Sequence, residues 1–164
     1  MQRGRCRLTG VLSVKGVPVV CLKDDSRVGY VGDALYDNEN KICAFILEQS
    51  GISLRKKIIL LDEILQINGK NCVIYSDKSI LKFDKNDGIK KNCRYSTFIG
   101  KNVESRDGKG LGVIRDMLFD VETGTIEGFE LYRGIVEDAV KGRNVIYFSD
   151  GLEIFRERII AGKE

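Results

Sequence analysis

The sequence predicts an all-β chain organised as two tandem small antiparallel barrels, with at most a short helix in the second. Three observations predict it. Short apolar runs are punctuated throughout by glycine and other turn residues, with eighteen glycines against a single proline. The runs have strand length and strand composition, and turn signals separate them at even intervals. The grammar of the first half also returns in the second.

The repeat fixes the elements. Moving residues 96–131 back by 84 positions places Gly100 on Gly16 and Val103 on Val19. After a one-residue shift, Gly112 falls on Gly29, Asp116 on Asp33, Leu118 on Leu35 and Asp120 on Asp37. Beyond the next turn, Ile126 meets Ile42, Phe129 meets Phe45 and Leu131 meets Leu47. In the first copy the predicted strands are 17–22, 28–36, 42–47, 57–61 and 71–76. In the second they are 101–105, 111–119, 126–132, 143–148 and 153–160. An insertion at 134–142 carries Val136, Ala139 and Val140 at helical spacing and predicts a turn or two of helix. The polar stretch "FDKNDGIKKNCRY" (83–95) lacks strand periodicity and reads as a linker. The domains are therefore expected at 6–83 and 94–162, joined by 84–93. For units this small, closing the sheet makes a core and removes exposed edges.

Composition narrows the function. Residues 1–82 hold 13 basic and 9 acidic side chains, and residues 83–164 hold 14 and 15. Part of the excess is an arm with Arg3, Arg5 and Arg7, which suits phosphate or an acidic partner but also reads as a solvated terminus. A second basic cluster is Arg55-Lys56-Lys57, read as a charged strand edge. The five cysteines have no C-x-x-C spacing and there is no histidine, so a zinc site and Ser–His or Cys–His catalysis are not expected. The odd cysteine count favours reduced thiols and a cytoplasmic location. No run approaches the roughly 18 apolar residues of a membrane helix.

One feature breaks the strand pattern. Simple alternation puts Asp33 on a face with Val31 and Leu35, and Asp116 on a face with Ile114 and Leu118. That points both carboxylates toward a core or a barrel mouth. A buried carboxylate needs hydrogen-bond donors, and backbone N–H groups of a neighbouring loop are the expected ones. A general acid/base or metal ligand is the competing reading, with no converging group in the sequence behind it. Asp37 and Asp120 end strands and open turns, where aspartate bonds the backbone two residues on. Gly124 is expected at positive φ, and Gly29 and Gly112 are expected, with the aspartates, as structural turn or loop-tethering residues. The same alternation places Tyr30, Tyr36, Met117 and Phe119 outward. They would pack one barrel on the other or on a partner.

The stretches "LSVKGVPVVCLKDDSRVGYVGDALYDNENKICAFIL" and "STFIGKNVESRDGKGLGVIRDMLFDVETGTIEGFEL" both resemble PRC-barrel domains. That family includes the barrel of the photosynthetic reaction-centre H subunit and the C-terminal domain of the ribosome maturation factor RimM. The tandem arrangement is similar to two-barrel proteins of Gram-positive spore formers. The resemblance implies six-stranded barrels serving as a protein-interaction or assembly platform, with no shared catalytic residues to carry over, and no metal or cofactor is expected. The alternative expectation is a ribosome- or RNA-associated factor that uses the basic arm.

Overall fold

The computed structural model describes residues 8–51, 55–84, 93–134 and 144–162. In the first half the elements are β1 (Leu8–Gly10), α1 (Val11–Val14), β2 (Pro18–Cys21), β3 (Arg27–Tyr36), β4 (Ile42–Glu48), β5 (Lys57–Leu60), β6 (Ile64–Ile67), β7 (Cys72–Ile74) and β8 (Ile80–Lys82). In the second they are β9 (Asn102–Ser105), β10 (Gly110–Asp120), β11 (Ile126–Tyr132), β12 (Asn144–Tyr147), β13 (Leu152–Ile154) and β14 (Arg158–Ala161). The predicted helical insertion falls almost entirely outside the described residues.

The protein is all-β, in two sheets of seven strands each. One runs β6-β7-β2-β3-β4-β5-β8. The other runs β13-β14-β9-β10-β11-β12, with β1 added beside β10. Apart from β8 and β1 the two orders coincide, strand for strand. Two expectations need correction. The sheets are not purely antiparallel, because β2 pairs with β7, and β9 with β14, in parallel. The segment expected as 153–160 yields two strands, and β1, β6 and β8 form where no strand was expected. A 3₁₀ turn at Leu61–Glu63 links β5 to β6. A turn with Phe155 N bonded to Arg158 O reverses the chain between β13 and β14.

Bulges recur at matching places. The β3–β4 register shifts between Val31 and Ala34, and the β10–β11 register between Ile114 and Asp116. Extra residues at a bulge reverse the facing of everything beyond them. The core set on β3 is therefore Val31, Ala34 and Tyr36, and on β10 it is Ile114, Met117 and Phe119. Simple alternation had assigned the wrong face. Tyr36, Met117 and Phe119 are 3%, 2% and 0% exposed and do not face outward.

The halves exchange strands. β1 leaves the first half and pairs with β10, Thr9 opposite Phe119. Reciprocally, Arg94, at the start of the second half, bridges to Tyr36 at the end of β3, with hydrogen bonds of 2.7 and 2.9 Å. Ile42 N bonds to Gly124 O at 2.8 Å, and the rings of Phe45 and Phe119 meet with centroids 6.1 Å apart. One continuous core follows, with buried side chains from both sheets. A second, smaller cluster, Leu35, Ala44, Ile46 and Ile58, covers the outer face of the first sheet only.

Candidate interaction site

The strand exchange creates a hollow of about 280 Å³ between the halves. Matching positions of the two copies line it, Asp33 with Asp116 and Ala34 with Met117. Its rim carries exposed apolar surface: Leu12 at 54%, Ile99 at 52% and Tyr95 at 43%. Buried Tyr36 lies in its wall, and its phenol is held well above the usual range by burial first and then by the charges of Asp116 and Asp33.

The two aspartates behave differently. Asp116 is 4% exposed, and its Oδ1 accepts from Leu12 N at 3.1 Å and from Met117 N at 2.8 Å. Burial raises its pKa above the ordinary carboxylate value, and those N–H donors pull the other way. Gly10 makes the approach possible, since a Cβ there would lie 2.3 Å from Asp116 Oδ2. Asp33 is half exposed and pairs with Lys15 Nζ at 2.5 Å, which raises the lysine pKa through that hydrogen bond and charge. Beside Asp116, Arg115 reaches across the sheet to the buried carboxylate of Glu130.

The turn aspartates bond local backbone. Asp37 Oδ1 accepts from Glu39 N (2.8 Å) and Lys41 N (3.0 Å), and Asp120 Oδ1 from Glu122 N (2.8 Å) and Thr123 N (3.3 Å). Gly124 has φ +75°, and a Cβ there would meet Ile42 O at 2.3 Å, so it serves both the turn and the junction of the halves. At Gly29 and Gly112 a Cβ would strike the facing strand, at Glu48 O (2.4 Å) and Tyr132 O (2.8 Å).

The lysines of the basic cluster are engaged. Lys56 Nζ donates to Tyr95 Oη at 2.6 Å and lies over its ring, and Lys57 donates to Gln49 at 2.9 Å. Arg55 lines a neighbouring hollow of about 340 Å³ with both lysines and Tyr95. Tyr30 is 36% exposed under the guanidinium of Arg27. Arg3, Arg5 and Arg7 lie outside the described residues. Among the described residues no three His, Cys, Asp or Glu side chains gather to hold a metal ion, and no helix is long and apolar enough to cross a membrane.

Sequence reasoning missed Leu12, Lys15, Tyr95 and Ile99. They come together only because each copy's leading segment crosses to the other sheet, and no local pattern marks such a crossing. It also missed that Cys43 Sγ and Cys93 Sγ are 2.7 Å apart.

Comparison with known proteins finds two similarities. The uncharacterized protein YrrD of Bacillus subtilis (strain 168) is 24% identical over 151 residues, which span 90% of this chain and 83% of that protein. The PRC-barrel domain model matches residues 91–160, a span that contains β9 to β13 and most of β14. Through that span the chain is similar to PRC-barrel domains.

Proposed function

We propose that the protein is a non-catalytic interaction platform and that the hollow between its halves is the docking surface for a protein partner. The observation that carries this reading is the apolar rim of Leu12, Tyr95 and Ile99 around a concave site whose charged groups, Lys15, Asp33, Arg115 and Asp116, are engaged within the chain. An apolar side chain of a partner would seat there between the Lys15–Asp33 and Arg115–Glu130 pairs, which set its orientation more than its affinity. Asp33 and Asp116 then serve shape and not chemistry. Residues 6–83 and 94–162 act on this reading as two units of one kind, supported by their common strand order. The protein would work in the cytoplasm.

Capture from an extract of the source cell tests the proposal, comparing the native chain with a Leu12→Glu/Ile99→Glu variant at low and high salt. A protein partner that survives salt and is lost with the variant supports it. Equal capture by both chains refutes it. Co-purified RNA that is lost steeply with salt, whatever residues 12 and 99 are, would favour the ribosome-associated alternative.

A further inference from the structure

Cys43 lies on β4, and Cys93 lies immediately before the Arg94 bridge that carries the chain across to the second half. They are separated by 50 positions, yet their sulfurs are 2.7 Å apart. A disulfide closes at about 2.05 Å, so a small inward movement completes the bond. Both are thiols in this structure and both are half-buried, beside the small outer cluster of Leu35, Ala44, Ile46 and Ile58. Cys21 and Cys72, by contrast, are 1% and 0% exposed in the main core, and burial alone pushes the Cys72 thiol up to about 12.

We propose that Cys43 and Cys93 form a reversible dithiol–disulfide site, oxidised by low-molecular-weight disulfides, that staples the crossover segment to the first sheet. Cys93 acts first, because the Cys43 thiol is already engaged, donating to Leu35 O at 3.4 Å in a half-buried site. Cys93 gives up its proton, and its sulfur attacks one sulfur of the small disulfide. The S–S bond breaks, and the first small thiolate leaves and takes up that proton. Cys43 then loses its proton and attacks the Cys93 sulfur of the mixed disulfide. The second small thiolate departs and is protonated. Two protein thiols have been oxidised and one small disulfide reduced to two thiols, with no other electron donor or acceptor. The new bond encloses β5 to β8 and fixes the backbone two residues before Tyr95, on the rim of the hollow.

The test equilibrates the full chain, carrying Cys6→Ser to remove the terminal thiol, in glutathione/glutathione-disulfide buffers of increasing oxidation. Non-reducing peptide mass mapping and thermal unfolding are read together. The expected result is one intramolecular link between the Cys43 and Cys93 peptides, loss of two of the four remaining thiols, and a higher Tm that dithiothreitol reverses. Cys43→Ser should stop the reaction at a glutathione adduct on Cys93. Persistence of all four thiols would overturn the proposal, as would links to Cys21 or Cys72 in comparable yield. The principal readout uses the native pair, so a variant that misfolds does not blur the result.

Discussion

Asp33 and Asp116 occupy the same place in two copies of one motif, and the molecule uses them in opposite ways. Asp116 is buried and ties down Leu12 N, while Asp33 stands in solvent against Lys15. What differs is the segment that crosses over each. The chain passes Asp116 as Gly10, leaving room for a carboxylate, whereas the segment reaching β3 does so as Arg94-Tyr95 with a side chain on each residue. The two halves share the punctuation, and the crossing strand decides what the punctuation does.

The outer faces of the sheets differ in the same manner. On the first sheet Leu35, Ala44, Ile46 and Ile58 are roofed by Leu81, Phe83 and Cys93. The facing registers put Leu118, Gly128, Glu130 and Val145 at the matching points of the second sheet. There a charged pair, Arg115–Glu130, takes the place of an apolar roof. Among the described residues β8 has no counterpart on β12.

This contrast can be broken at several points. The largest effect is expected at Ile58→Ala, about 3 kcal/mol of lost stability, against about 1 kcal/mol for Val145→Ala at the half-buried matching site, both read by denaturant unfolding. Arg115→Ala leaves the buried Glu130 carboxylate without that cation and should cost about 2 kcal/mol, less than a fully enclosed pair because the guanidinium is 44% exposed. Asp116→Ala strands two backbone donors and should also cost about 2 kcal/mol, whereas Asp33→Ala removes an exposed ion pair worth under about 0.5 kcal/mol. The pH response reports on the buried aspartate. The folded state raises the Asp116 pKa, so above about pH 3.8 it holds a proton that the unfolded chain has released. The stability advantage of the native chain over Asp116→Asn should therefore be full at acid pH and shrink as pH rises through the folded-state pKa. The smallest effect is expected at Lys15→Met, a few tenths of a kcal/mol.

Much of the fold is legible in the sequence, and the reason is geometric. Gly29 and Gly112 lie where a Cβ would strike the facing strand, and Asp37 and Asp120 open turns whose N–H groups need an acceptor. Such residues are restricted by local backbone shape, so they repeat visibly. The faces were not legible, because a bulge changes side-chain phase without changing composition, and Tyr36, Met117 and Phe119 consequently read as outward. The site was least legible. Leu12, Tyr95 and Ile99 meet through pairing across the chain, which no window of sequence contains.

The central claim is that strand exchange welds the two halves into one body and shapes the site between them. Hydrogen exchange followed by mass spectrometry along a denaturant series tests it most directly, comparing β4 with β11 and β1 with β10. Coincident loss of protection in all four at one midpoint is the predicted result. Separate midpoints for β4 and β11, or loss of β1 protection well before β10 opens, would contradict it.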